Sequence, residues 1–452
     1  MRSHTLSGLA LLALSVIGCD NDSVAPDPVQ PQEVLEKEQF AQKVVTLDTV
    51  EPSGPTTDLD ALSPFLKDKQ IIGVGEASHG TSEFYKMRHR LFQYGVANWG
   101  LKVLAVEVQF GAAALLDDYI RTGQGNLTQL LKGSGYWVYT TQEFAALVEW
   151  MKNYNVGKSE AERLKIYGFD AQPQGAVNSV NWLQAYFASS APSFVTAFNQ
   201  ATAFISEGYP EFGQFSTPEE AQAAAPQISQ QYQARVNEVI TYLADNQAAL
   251  TAQSGDATYR LALQHARVLL LAVTQIGITD LDAVFEYRDN YMAQNVKWIS
   301  EYENDEKVMA LAHNGHIQHA QTAGIQKQDV KWMGYNLLNM YGDRYYAVGF
   351  TFNEGGFRAS AADGSIQSFT LSPWPGSLTA AFSAFKIPLF FMDIASLSQN
   401  DAIKNVLNRD YFFYNAAAAY DNNEANAGSI YNLTQSYDGV IYVDKTTPTT
   451  GL

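Results

Sequence analysis

The stretch from Gln70 to Gly80 constrains the fold of this chain more than any other. It reads Gln-Ile-Ile-Gly-Val-Gly-Glu-Ala-Ser-His-Gly, and its branched apolar residues predict a short buried strand. The glycines that follow predict a tight turn that carries Glu76 and His79, and the residues after this turn have helical apolar spacing. A strand, a glycine turn and a helix in succession place ligand chemistry at the carboxyl edge of an α/β sheet.

Further short apolar runs predict the rest of the sheet. Helical stretches separate them, which favours an α/β fold: a mostly parallel, twisted sheet with helices on both faces. Strand signals disappear over residues 174–305, where helical spacing predicts a large all-helical insertion of about five helices. The last third is rich in loops and is expected to contain an antiparallel edge. The further strands are expected over residues 102–108, 164–170, 307–313, 345–352, 389–394 and 439–443.

Polar side chains lie at or just after the ends of four of the predicted strands. Because the carboxyl ends of parallel strands lie on the same side of a sheet, we expect these side chains to converge in one cleft. They are Glu76 with His79, Glu107, Asp170, and His313 with His316.

The position of His79 fits a general base. It lies just before a helix, where the positive end of the dipole favours a neutral imidazole that can take a proton. Glu76 is placed to accept from the other ring nitrogen and so fix the tautomer. Arg88 projects from the same helix and is predicted to stabilise developing oxyanion charge. The structural alternatives are a histidine that bonds turn carbonyls and an arginine on a solvated helix face.

The spacing His313-x-x-His316-x-x-His319 leaves a metal site open as an alternative. Two imidazoles three residues apart can bind zinc, with Glu107 or Asp170 as a further ligand. The spacing is not the His-Glu-x-x-His pattern, and His319 is expected on a helix face away from the sheet edge. We favour an oxyanion-binding and acid role without a metal, so no cofactor is predicted.

Other familiar catalytic motifs are absent from the sequence. There is no Gly-x-Ser-x-Gly elbow and no Walker motif, and the glycines of the central stretch lack the spacing of a dinucleotide site. Ser78 lies beside His79, but a neighbour in sequence has poor geometry for a nucleophile and base. These absences argue against a serine hydrolase and against nucleotide chemistry.

Residues 1–19 have the pattern of a bacterial lipoprotein signal peptide: a positive residue, a short apolar run and a Val-Ile-Gly-Cys sequence that resembles a lipobox. Cys19 is the only cysteine of the chain, which favours a lipid anchor and excludes an internal disulfide. Residues 20–36 are expected to form a disordered tether. Residues 37–452 are then the folded body, which faces the periplasm of the bacterial cell envelope and contacts the membrane only through the lipid.

The formal net charge of −18 bears on the partners of the protein. Such a surface repels nucleic acid and anionic lipid, so a neutral or cationic small molecule is the expected ligand. The sequence predicts no particular oligomeric state.

The ordered motifs resemble the erythromycin esterase family over about residues 65–360. They are Gly75 to Phe84 with Arg88, Ala105-Val106-Glu107, Tyr167 to Asp170, Arg288-Asp289-x-x-Met292-Ala293-x-Asn295, and Ala312 to His316. The resemblance implies that His79 activates water for attack on an ester or lactone. It also implies that the site is completed by Glu76, Glu107, Arg88, His313 and His316. We expect Asp170 and Arg288 to contact the substrate.

Two features depart from the family. Its Trp-x-Arg-x-x-Asn motif has lysine at the third position here, in Trp150-x-Lys152-x-x-Asn155, which bears on substrate identity more than on chemistry. The lipobox is the second departure, because the resistance enzymes of this family are usually cytoplasmic.

The leading hypothesis is a hydrolase of a carboxylic ester or lactone that uses a water activated by His79 and forms no covalent intermediate. Macrolides are one candidate substrate class, as antibiotic resistance would require. The alternatives are a metal-dependent hydrolase on the same residues, or a lipoprotein that binds haem or another small molecule through histidines at the sheet edge.

Overall fold

The computed structural model describes residues 40–323 and 329–452. Cys19 and the tether over residues 20–36 lie outside the described residues, so the lipid anchor stays a prediction. No described helix combines the length and the apolar composition that a bilayer crossing demands.

The described residues form thirteen β-strands, nine of which join one central sheet. The strands are β1 (Val45–Thr46), β2 (Ile71–Val74), β3 (Val103–Gln109), β4 (Lys165–Asp170), β5 (Val308–Leu311), β6 (Thr322–Ala323), β7 (Asp329–Val330), β8 (Tyr345–Ser360), β9 (Ile366–Leu371), β10 (Leu389–Asp393), β11 (Asp410–Tyr414), β12 (Gly428–Asn432) and β13 (Gly439–Thr446). The order across the central sheet is β1-β10-β13-β8-β2-β5-β3-β4, and β9 pairs with β8.

Strand directions confirm the predicted sheet. The six neighbours from β4 to β13 are parallel throughout, whereas β10, β9 and β1 pair antiparallel with their partners. The parallel centre and the antiparallel edge therefore both agree with the sequence-based expectation. β8 continues eight residues beyond the predicted strand end at 352 to pair with β9.

Seventeen α-helices lie in the described residues. They are α1 (Ser63–Leu66), α2 (Ser82–Asn98), α3 (Phe110–Thr122), α4 (Leu127–Gly133), α5 (Gln142–Asn155), α6 (Ala176–Ser190), α7 (Val195–Ser206), α8 (Pro218–Asp245), α9 (Gln247–Ser254), α10 (Asp256–Ile276), α11 (Leu281–Tyr302), α12 (Asn314–Ile317), α13 (Met333–Tyr341), α14 (Leu378–Ala384), α15 (Ile394–Leu397), α16 (Asp401–Leu407) and α17 (Leu433–Ser436).

Both faces of the sheet are buried. Alternate side chains of β2 and β3 enter two different apolar cores, as expected for parallel strands covered on both sides. One core receives Ile72, Val74, Leu104 and Val106, and the other receives Ile71, Val103 and Ala105.

The helical region between Ala176 and Tyr302 contains six α-helices, one more than expected. It has its own apolar core, in which the rings of Phe204 and Tyr232 stack with centroids 3.9 Å apart. Helix α6 packs against α3, and α11 packs against β4, so the helical region borders the edge of the sheet.

The sheet order positions the site. Strands β2, β5, β3 and β4 are direct neighbours, so the turns that follow them lie side by side at one edge. These are the four strands that the predicted site residues follow.

Candidate active site

The turn after β2 holds Glu76, His79 and Arg88 in one hydrogen-bonded set. The Nδ1 of His79 lies 2.8 Å from Glu76 Oε1, and Arg88 Nη1 donates to Glu76 Oε2 at 2.7 Å. Arg88 is only 1% exposed and also donates to the backbone carbonyls of Val74, Gly75 and Ala312. Since a carboxylate only accepts, His79 Nδ1 carries the hydrogen and Nε2 of the neutral ring is free to take a proton.

Asn314 locks this turn to the neighbouring strands. Its backbone N–H donates to the Glu76 carbonyl at 2.9 Å, and its side-chain amide pairs with the backbone of Phe350 in both directions. Gly75 passes so close that a methyl group there would lie 2.1 Å from Asn314 Oδ1. The lack of a side chain at Gly75 is therefore needed for this packing.

His313 faces His79 across the site. The two ring centroids are 4.9 Å apart. His313 Nδ1 accepts from the Gly315 N–H at 3.3 Å, which places the hydrogen of the neutral ring on Nε2. That Nε2 is buried and forms no close hydrogen bond within the described residues, although the Ala416 backbone lies near enough to the ring to act on its pKa. Burial, then the charges of His79 and His316, hold the pKa of His313 well below its usual range, against smaller opposing effects of Glu107 and of the Ala416 backbone.

Glu107 connects the His313 turn to Arg288. Its Oε2 accepts from the His313 backbone N–H at 2.9 Å, and its Oε1 accepts from Arg288 Nη2 at 2.8 Å. Burial acts to raise the pKa of Glu107, but the charge and hydrogen bond of His316 and the charge of Arg288 outweigh it. The pKa therefore lies well below the usual range.

Asp170 holds Arg288 in a two-pronged contact. Arg288 Nε donates to Oδ1 at 3.0 Å and Nη2 donates to Oδ2 at 2.6 Å. The Ala171 N–H and the Gln172 amide donate to the same carboxylate. The pair is buried and its orientation is fixed by these donors.

His316 is the charged imidazole of the site. Its Nδ1 donates to Asp289 Oδ1 at 2.7 Å, and its Nε2 lies 3.3 Å from Glu107 Oε1 and 3.2 Å from Arg288 Nη1. Burial opposes the charge on the ring, but the charges of Asp289 and Glu107 outweigh it and raise the pKa of His316 to about 10. Both ring nitrogens are then protonated, so Nε2 donates to Glu107 and does not accept from Arg288.

The charges of the cluster nearly balance. The carboxylates of Glu76, Glu107, Asp170 and Asp289 face two guanidinium groups and the His316 imidazolium. With the carboxylates ionised, one negative charge remains.

The structure brings all eight predicted catalytic and substrate-binding residues into one connected cluster, but it assigns different contacts to two of the predicted oxyanion donors. Arg88 is held by Glu76 and three carbonyls, and both nitrogens of His316 face carboxylates. Of the three, His313 has the N–H without a partner. Arg88 therefore contacts Glu76, and His316 contacts Glu107 and Asp289.

Asp289 and Asn314 were missed as individual site residues. Both stood in the sequence motifs, directly beside Arg288 and His313, and that adjacency was the available signal. Asp289 fixes His316 and also accepts from the Met333 N–H at 2.8 Å.

Three other residues discussed from the sequence lie outside the cluster. His319 follows α12 in a bend rather than on a helix face, and its Nε2 lies 3.1 Å from Asp438 Oδ2. The Ser78 hydroxyl pairs with Thr81. Lys152, which stands where the family motif has arginine, contacts Glu149 and Tyr119 and not the cluster described above.

Within residues 40–323 and 329–452, no three histidine, cysteine or carboxylate side chains are grouped so that they can hold a metal ion. The carboxylates considered as ligands, Glu107 and Asp170, share Arg288 as their partner.

Comparison with known proteins gives related sequences and folds. Erythromycin esterase type II of Escherichia coli is 22% identical over 448 residues, which cover 87% of this chain and 94% of that protein. A crystallised succinoglycan biosynthesis protein superposes with a TM-score of 0.78 at 23% identity, covering 94% of this chain and all of the other. A variant of the erythromycin esterase EreC in its open conformation superposes with a TM-score of 0.67 at 17% identity, over 90% of this chain and 98% of EreC. The structural likenesses show a shared fold.

The sequence model described as Erythromycin esterase matches residues 96–446. The match begins after His79 and extends beyond the expected span of 65–360. Membership of such a family indicates hydrolase chemistry on esters or lactones. The chain belongs to the erythromycin esterase family.

Proposed function

We propose that this protein hydrolyses a carboxylic ester or lactone with a water molecule that His79 deprotonates. Glu76 accepts from His79 Nδ1 at 2.8 Å, and this leaves the other nitrogen of the neutral ring as the base. Arg88 in turn fixes Glu76, since it binds the second carboxylate oxygen from a fully buried position. These contacts support a base of fixed tautomer and orientation.

The reaction balances with these groups alone. His79 takes a proton from water, and the hydroxide attacks the carbonyl carbon to give a tetrahedral oxyanion. The bond to the leaving oxygen then breaks, and His79 returns its proton to the departing alkoxide. The products are a carboxylic acid and an alcohol, which remain in one molecule when the substrate is a lactone.

His313 is the donor for the oxyanion in this proposal. Its Nε2–H is buried, forms no close hydrogen bond in the described residues and belongs to a ring 4.9 Å from that of His79. A preorganised hydrogen-bond donor in a buried site stabilises negative charge that develops in the transition state, and it does so without reorganisation. The juxtaposition of this unpaired N–H with the base is the observation that carries the proposal.

A panel of aryl esters, aliphatic esters, simple lactones and macrolides tests the proposal on residues 37–452. We expect turnover of at least one class, and His79→Asn should lower kcat by about 10² to 10⁴, the usual contribution of a general base. His319→Asn is the matched control, because that histidine lies beside Asp438 outside the cluster. Equal activity of the His79 variant and the wild type would refute the mechanism.

A metal-free site is part of the proposal. It is supported by the contacts of Glu107 and Asp170 with Arg288, which occupy the oxygens that a metal would need. Activity should therefore survive dialysis against a chelator. Stoichiometric zinc or manganese that is lost together with activity would favour the metal-dependent alternative.

A further inference from the structure

A cavity of about 320 Å³ lies beside the catalytic turn and takes no part in the chemistry proposed above. Aromatic, aliphatic, small and cationic residues line it: Lys132, Gly135, Tyr136, Trp137, Thr140, Arg358, Gly451 and Leu452. No carboxylate side chain lines it, although the whole chain carries a net charge of −18.

Arg358 is the distinctive residue of this cavity. No hydrogen bond or ion pair joins its guanidinium to another described residue, and its Nη1 is buried without a partner. A buried, unpaired guanidinium donor is costly, because such groups otherwise bind carboxylates or carbonyls. Lys132 has a structural reason for its place, since it stands in the last turn of α4. Arg358 has no comparable reason.

Trp137 and Gly451 hold the guanidinium of Arg358 in the cavity wall, and its Nη1 is left without a partner. Its guanidinium carbon lies 6.0 Å from the ring centre of Trp137, a cation–π contact that holds the group over the indole. Tyr136, the next residue, donates its hydroxyl to the Gln174 carbonyl. The two rings give the cavity an apolar wall next to a fixed positive group.

Two residues of the cavity lining, Arg358 and Tyr136, lie close to the catalytic cluster. The Arg358 backbone N–H donates to the carbonyl of Gly80, the residue after His79, at 3.0 Å. A methyl group at Gly80 would lie 2.1 Å from the Arg358 carbonyl oxygen, so the two backbones are in close contact. On the other side, burial and then the charge of Asp170 raise the pKa of Tyr136, which places this ring within electrostatic reach of the Asp170 pair.

We propose that this cavity is a subsite for a carboxylate carried by the ester substrate away from the bond that is cleaved. The inference rests on the proposed ester hydrolysis and names the class of substrate: esters or lactones that bear a free carboxylate next to an apolar group. The planar fork of Arg358 matches a carboxylate with two parallel hydrogen bonds, and Trp137 and Tyr136 contact the apolar part. Because the rest of the acidic chain repels anions, this local contact also provides specificity.

Matched substrates test the subsite in turnover. 4-Acetoxybenzoate carries the carboxylate, and 4-acetoxybenzamide is its neutral counterpart of the same shape. We expect Arg358→Gln to lower the ratio of their kcat/KM values about 10- to 100-fold, the range for one charged hydrogen-bonded pair. The ratio for Arg358→Lys should lie between those of the wild type and Arg358→Gln, because lysine keeps the charge but lacks the planar guanidinium.

The control is Arg344→Gln. Arg344 precedes β8 at the opposite end of that strand and stacks on Tyr341 at 5.4 Å, so it resembles Arg358 in stacking but lies far from the cavity residues in the fold. The ratio of kcat/KM for 4-acetoxybenzoate to that for 4-acetoxybenzamide should be the same in Arg344→Gln as in the wild type. Melting temperatures of all variants identify any loss of folding. An unchanged ratio in Arg358→Gln overturns the subsite.

Direct binding separates the subsite from the proposed reaction. Calorimetric titration with the inert amides 4-acetamidobenzoate and 4-acetamidobenzamide needs no turnover. We expect the anionic amide to bind more tightly than the neutral one, and Arg358→Gln to remove this preference. If no ester is hydrolysed but the preference depends on Arg358, the subsite stands and the proposed reaction fails. If the wild type shows no preference, the subsite is refuted even where esters are hydrolysed.

Discussion

The imidazole of His79 lies 4.9 Å from that of His313, centroid to centroid, with the ring planes inclined by 38°. Two positive charges at this separation in a buried site repel strongly. Burial and the charge of His79 both hold the pKa of His313 below its usual range. His313 therefore keeps a neutral ring, whose Nε2–H can donate.

His313→Asn tests this division of roles. Asparagine can still accept the Gly315 N–H as a helix cap, as His313 Nδ1 does, but it lacks the Nε2–H. Loss of one oxyanion donor should lower kcat about 10² to 10³ and change KM little, because the contact forms mainly in the transition state. Steady-state kinetics on the best ester of the panel measure both constants. A raised KM at unchanged kcat would contradict the assignment.

Asp289→Asn should change the pH dependence of activity. Loss of the charge that helps to raise the pKa of His316 to about 10 should move this pKa down by about 1 to 3 units. Deprotonation of His316 makes the cluster more negative and disfavours an oxyanion. The alkaline limb of the kcat/KM profile should therefore move to lower pH, and NMR titration of the His316 ring should follow it.

Asp438→Asn is the control for that experiment. Like Asp289, Asp438 lies against a histidine and accepts a backbone N–H, from Ala347 at 2.8 Å, but it stands outside the cluster. Its pH profile should match that of the wild type. A shift of equal size in both variants would show that the effect on Asp289→Asn is not specific to the site.

Gly75→Ala should disrupt the turn that carries the base. The new methyl group would lie 2.1 Å from Asn314 Oδ1 and 3.0 Å from Ile317 Cδ1. We expect a loss of about 1 to 3 kcal/mol in the free energy of unfolding, the usual cost of overpacking, together with a fall in kcat. Gly133→Ala, in the last turn of α4 with nothing within 4 Å, should cost nothing. Chemical denaturation of both variants makes the comparison.

His265 should make the protein sensitive to acid. Burial lowers its pKa to about 3, against about 6.5 in an unfolded chain, so between these values the unfolded state binds a proton that the folded state does not. Stability then falls with decreasing pH by about 1.4 kcal/mol per unit. His265→Phe keeps a ring beside Trp182. In this variant the free energy of unfolding should fall less steeply between pH 6.5 and 4.5, by about 1.4 kcal/mol per pH unit. Parallel curves for the two proteins would refute the linkage.

The arrangement of strands and of the polar residues that follow them could be predicted because both depend on local patterns. The apolar run of β2 ends at glycines, and the same change from apolar to polar marks the end of β3 and β4. Parallel pairing then requires that Glu76, Glu107 and Asp170 come together. Such an inference needs no knowledge of side-chain direction.

Pairings between distant side chains could not be predicted in the same way. Arg88 was expected to face an oxyanion, but its contact with three backbone carbonyls depends on how α2 packs over the ends of β2 and β5.

The predicted number of helices in the insertion was one too low for a local reason. Single residues, Asn246 and Gly255, separate α8, α9 and α10, so the helical spacing continues across both breaks.

Strand β13 is the last of the described strands to be synthesised, yet it lies between β8 and β10 in the interior of the sheet. The residues after it reach the catalytic turn, where the Thr449 N–H donates to the Gly80 carbonyl at 2.8 Å. During translation β8 must therefore wait with an unpaired apolar edge until the chain through β13 has been synthesised. The nascent protein is exposed to aggregation for that interval, and its folding is expected to be slow because its pairings join distant parts of the chain.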